Sequence, residues 1–198
     1  MFFSSLSLII SNLVPLFGIL FFGWSIYPIL IAYWLENLVI GYFTFLKISL
    51  SKGRNITTVD PNRIVSFDMP TWFVLGFFSI HYSLFCLVHG IFLFTNFLIW
   101  ANFNSSDIYK IIIMAISIFI SHWVSYHYNY LAKKEYLKIS PRQQMGKPYP
   151  RIMIMHAVVL IGGMVLFGQE FQLLSAVALI LLKTIFDLGA HIVEHKNV

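Results

Sequence analysis

Near its C-terminal end the chain places Lys183, Asp187, His191 and His195 four residues apart, with Glu194 beside the last of them. Positions i and i+4 share one face of an α-helix, so these residues form a stripe of acid–base groups. The stripe follows an apolar run, FQLLSAVALILL, at residues 171–182. Imidazole and carboxylate side chains in such a setting can ligate zinc or iron, relay protons or hold an ion. Groups of the same kind interrupt other apolar runs, at Glu36, His81, His122, His127 and His156.

The elements that must carry these groups are membrane helices. Of 198 residues, 59% are hydrophobic and 11% charged, against about 45–50% and 25% in a soluble domain. The mean hydropathy is +0.79. No soluble core hides this much apolar surface, so the expected solvent is lipid. Six apolar segments are expected as spanning helices, at about 6–24, 28–50, 71–97, 108–131, 152–167 and 171–195. Most have the roughly 17–25 residues a span requires, and the fifth is the shortest. The N-terminus lacks a charged n-region and a small-residue cleavage site, so the first segment reads as a mature helix. The fold class is thus all-α: one polytopic transmembrane bundle over residues 1–198.

Charge sets the orientation. The stretch after the second segment carries Lys52, Arg54 and Arg63, and the stretch after the fourth carries Lys133, Lys134, Lys138, Arg142 and Lys147. By the positive-inside rule both termini face the cytoplasm. The net charge of +5 reports this topology and no nucleic-acid partner. The single cysteine, Cys86, excludes an internal disulfide and reads as a packing residue. The localisation expected is a multi-pass membrane protein of a bacterial or archaeal cell membrane.

Counting 1.5 Å per residue from the inner helix ends places Glu36, His81, His122 and Asp187 roughly 13–17 Å deep. His127, His156 and His191 form a second layer roughly 7–9 Å deep by the same rise. An ionisable group in the middle of the bilayer costs about 2.5–3.5 kcal/mol, so several of them are expected to share one inward-facing site. Lys183, one turn before Asp187, is a candidate ion-pair partner for it.

The chain also resembles a family. The pattern comprises Trp34, Glu36 and Asn37 in the second segment, His81, Tyr82, His89 and Gly90 in the third, and Ser121, His122, Ser125 and Asn129 in the fourth. It continues with Pro148, Tyr149, Arg151 and His156, and with Lys183, Asp187 and His191. It is similar to that of the DUF6498 integral membrane proteins over nearly the whole chain. The resemblance implies a polytopic membrane fold and no particular activity.

Three chemistries follow from the residues. A metal site would take zinc or iron on His81, His122, His156, Asp187 and His191, with Glu36 as catalytic base. Such a centre would hydrolyse a lipid-like amide or ester, with Arg151 and Lys183 contacting a lipid headgroup or substrate. A small ion or proton transporter would use Glu36 and Asp187, and a homodimer would offset its small size. The third reading makes the polar residues hydrogen-bonding glue between helices, the role expected for His89 and His195. Membrane lipid is the expected partner in each case.

Overall fold

The computed structural model describes residues 13–53, 56–60, 63–66, 69–100, 105–154, 156, 177, 180–181, 183–186 and 189. The first helix, α1, spans Leu13–Phe22. It closes at Gly23, whose φ of 60° is left-handed and suits a residue without a Cβ. The Trp24 amide then reaches back to the Gly18 carbonyl at 3.1 Å, and the Trp24 ring lies over Gly18, where any Cβ would meet it at 2.2 Å.

Helix α2 spans Ile26–Leu50 and is the centre of the bundle. Ile29, Leu30, Ile31, Ala32 and Tyr33 are buried in succession. A helix apolar on every side must be packed on every side, and α2 packs against both α3 and α4. Helix α3 runs over Thr71–Trp100, entered through Pro70. Helix α4 covers Ser105–Ser125 and passes into a π-helical stretch, Tyr126–Leu131. These three helices are each long and apolar enough to cross a membrane. Their outer faces carry exposed apolar side chains such as Ile80, Leu84, Leu87, Ile112, Ile116 and Ile120. A continuous apolar face of this kind is foreign to a water-soluble monomer.

Two polar stretches expected as loops hold structure of their own. Residues Ile56–Asp60 (β1) and Arg63–Ser66 (β2) form an antiparallel hairpin with Thr57 opposite Val65. After α4 come a 3-10 turn, Glu135–Leu137, and a short helix α5, Pro141–Gly146. Helix α5 starts with a full capping box. The Ser140 hydroxyl accepts from the Gln143 amide at 3.2 Å, and the Gln143 side chain accepts from the Ser140 amide at 3.1 Å. Proline at the first helical position reinforces the start. Helix α6 begins at 149 rather than 152, and residues 149–154 and 156 are helical. The described residues between 177 and 189 are helical and belong to α7.

The ends of the elements are tied together on one side of the bundle. The Tyr130 hydroxyl donates to the Lys47 carbonyl at 2.5 Å and meets Ser51 Oγ at 2.9 Å. The Lys52 amide donates to the Tyr136 carbonyl at 2.7 Å, and that of Gly53 to the Ile139 carbonyl at 3.0 Å. A Cβ on Gly53 would lie 2.5 Å from the backbone of Lys138 and Ile139, so only glycine permits this approach. Across α2 and α3, the Tyr82 hydroxyl donates to the Asn37 carbonyl at 2.8 Å and Trp34 Nε1 to the Cys86 carbonyl at 2.8 Å. Cys86 is buried and unpaired to any other cysteine, as a packing residue should be.

Candidate functional site

Glu36 enters the interior from the middle of α2, on the face turned toward α4 and α7. Lys183 of α7 points at it, with Nζ 2.7 Å from Glu36 Oε2. His122 of α4 lies on the other oxygen, with Nε2 3.6 Å from Oε1. Lys183 is only 1% exposed, and its ammonium also sits 4.6 Å from the centre of the Tyr33 ring. Three devices therefore compensate the buried lysine: a carboxylate at contact distance, a π face and the methylene stem packed in the bundle. Lys183, expected at a lipid headgroup or substrate, lies inside the helix packing with Glu36 beside it. Asp187 and His191, the other members of the stripe, lie outside the described residues, as do Glu194 and His195.

The remaining histidines have partners elsewhere. His81 Nδ1 is 3.0 Å from the Tyr149 hydroxyl and its ring stacks on Phe77. His89 Nδ1 lies 2.8 Å from the Phe85 carbonyl, while its Nε2 meets His156 Nδ1. The backbone carbonyl can only accept, so His89 carries its proton on Nδ1 there and, as a neutral ring, accepts from His156. His127 Nδ1 is 3.0 Å from the Trp123 carbonyl one turn back. Among the described residues, no three His, Cys, Asp or Glu side chains converge to hold a metal. Of the expected set, the structure joins Glu36 to His122 and Lys183, and gives His81 and His156 other partners.

The reason lies in where the helices begin. His81 beside Tyr149, and His89 beside His156, mean that α6 runs alongside α3 in the same direction. The start of α6 stands level with residue 81, ten residues into α3, or about 15 Å along it. Depths counted from helix ends assume a common starting plane, and α3 and α6 do not share one. His89, expected near the outer face, and His156, expected in the cytoplasmic-side layer, are therefore neighbours.

From His122 a small polar cavity of ≈ 30 Å³ leads away from Glu36. Its wall includes Thr44 and Lys47 of α2, Gln144 of α5, Lys147, and Arg151 of α6. Phe43 packs along the His122 ring, with centroids 6.4 Å apart. Sequence reasoning missed Thr44, Lys47 and Gln144. The signal was present: Glu36, Ile40, Phe43, Thr44 and Lys47 follow the 0, 4, 7, 8, 11 spacing of one helix face. A separate apolar groove of ≈ 420 Å³ runs between α2 and α3 on the opposite side, lined by residues such as Leu38, Tyr42, Phe45 and Leu87.

No curated protein and no solved structure matches the chain. The family model described as "Family of unknown function (DUF6498)" matches residues 2–198, and the chain belongs to that family.

Proposed function

We propose that this chain is a six-helix membrane protein, with both termini in the cytoplasm, that binds and moves a small ion or proton through the Glu36 centre. The observation that carries this reading is the buried Lys183–Glu36–His122 arrangement among helices apolar enough to span a membrane. Charged groups at membrane depth are costly and mark ion or proton pathways. Here a fixed cation holds one carboxylate oxygen, and a titratable imidazole stands by the other. His122 also borders the cavity that runs toward the basic end of α2. A proton received at His122 can pass to Glu36 through a small side-chain movement, since 3.6 Å exceeds hydrogen-bond reach by less than 1 Å. A neutral Glu36 would release Lys183 to hold a different anion.

The test is proton flux into liposomes carrying the purified protein, read by an enclosed pH-sensitive dye. The expected result is flux that Glu36→Gln abolishes and His122→Gln slows. Equal flux in wild type, Glu36→Gln and empty liposomes sinks the reading.

The second reading is a zinc- or iron-dependent hydrolase of a lipid-like ester or amide. The pairing of His122 with Glu36 favours it, because a metal-ligating imidazole beside a carboxylate base suits water activation. Asp187 and His191 would have to complete its ligand set. Metal analysis of protein purified without a His-tag, compared with Asp187→Ala/His191→Ala, decides it. About one zinc or iron per chain, lost in the double variant, supports the hydrolase.

A further inference from the structure

The polar cavity beyond His122 has a chemistry of its own. Three permanent cations line it, Lys47, Lys147 and Arg151, and among the described residues no carboxylate does. They come from two separate parts of the chain, the last turn of α2 and the α5–α6 junction. All three are half-buried, whereas Lys133, Lys134, Lys138 and Arg142 on the same side of the bundle are exposed. The three side chains border one space, and the Lys47 ammonium also lies 5.6 Å from the centre of the Tyr130 ring. The lining also includes Thr44, the buried Gln144 and His122, side chains able to donate hydrogen bonds. Gln144 is 1% exposed.

We infer that this cavity is a phosphate-binding site, formed by Lys47, Lys147 and Arg151 with donors from Thr44 and Gln144. The donor set decides the class of ligand. An arginine fork matches two oxygens of a tetrahedral oxyanion, and lysines supply point charges around it. The size limits the ligand further. A volume of ≈ 30 Å³ holds about two waters, so the cavity takes phosphoryl oxygens and leaves the rest of any larger ligand outside. The phosphate can belong to a lipid headgroup or be free in solution. The inference deepens the proposed ion-coupled reading by naming its anion, and it is read by binding rather than by flux. Loss of flux in Glu36→Gln together with no phosphate binding would overturn this inference alone.

The experiment measures binding to detergent-purified full-length protein by calorimetry and native mass spectrometry. The probes are inorganic phosphate, phosphatidic acid and the diacylglycerol with the same acyl chains. Preference for phosphatidic acid over diacylglycerol, with no uptake of inorganic phosphate, identifies a lipid phosphate. Uptake of inorganic phosphate that phosphatidic acid does not displace identifies a soluble anion. Either affinity should fall roughly tenfold or more in Lys147→Gln/Arg151→Gln, the scale of a lost charge-assisted contact. Lys133→Gln/Lys138→Gln should bind as wild type. Lys147→Gln alone serves if the double variant fails to give a monodisperse species. Binding of neither probe, or equal binding in wild type and the cleft variants, overturns the proposal.

Discussion

Lys183 Nζ rests 2.7 Å from Glu36 Oε2, and this contact joins α7 to the central helix through one buried ion pair. The pair is asymmetric in its consequences. Removing one partner strands a charge in an apolar interior, whereas removing both leaves only a cavity and lost packing. Lys183→Met or Glu36→Gln alone should lower stability by about 3–5 kcal/mol. The double variant should recover most of that. Thermal unfolding in one detergent, followed by circular dichroism, measures both. Additive losses in the double variant would show that the two side chains do not depend on each other.

The glycines give a graded steric series. A methyl on Gly53 meets backbone at 2.5 Å, and on Gly90 it meets the Trp34 ring at 2.9 Å. At Gly76 it meets nothing within 4 Å. Gly53→Ala and Gly90→Ala should each cost about 1–3 kcal/mol, the range for overpacking. Gly76→Ala should be neutral or slightly stabilising, since alanine favours a helix interior by about 1 kcal/mol over glycine. The same unfolding assay ranks the three.

Ser140 begins α5 through both arms of its capping box. Ser140→Ala should therefore destabilise by about 1 kcal/mol. Because α5 supplies Gln144 to the cavity wall, hydrogen exchange at residues 141–146 should rise in the same variant. Unchanged exchange there would mean that tertiary contacts hold α5 without its cap.

Membrane orientation can be read by labelling single cysteines in a Cys86→Ala background. Lys52→Cys and Lys138→Cys should react with a membrane-impermeant maleimide only from the cytoplasmic side. Asn102→Cys should react only from the outside. Any other pattern contradicts the proposed topology.

The parts of the fold that were legible in the sequence are local properties. A long stretch of high mean hydropathy with few charges declares itself, and α2, α3 and α4 emerge where those stretches lie. Pro70 before α3 and the Ser–Asp cluster at 105–107 mark two starts. The hairpin stands where a loop is expected, although ITTVD and RIVS are rich in β-branched residues and Pro61-Asn62 stands between them. The same holds for α5, where Ser140-Pro141 followed by Gln143 spells a capping box. Between helices, equal depth grouped Glu36, His81, His122 and Asp187; of these, His122 of the directly packed α4 lies beside Glu36, and His81 lies beside Tyr149. The sequence did not yield Lys183 as the partner of Glu36, or His156 as the partner of His89. Those contacts depend on the rotation of each helix and its offset along the membrane normal, and neither is encoded in any one segment.

The π-helical stretch at the end of α4 gives a different kind of freedom. There the Ala132 amide bonds to the His127 carbonyl five residues back, so the turn holds one residue more than an α-turn. That surplus residue acts as a vernier between two fixed scales. Before it, His122 keeps its alignment with Glu36. After it, Tyr130 keeps its alignment with Lys47 and Ser51. A continuous α-helix would rotate one of these relative to the other by about 100°. Deleting the exposed Tyr128 should therefore remove the surplus and leave a plain α-helix that keeps both the Glu36 contact and the Lys47 clasp in phase, whereas inserting a residue there should put one of them out of phase.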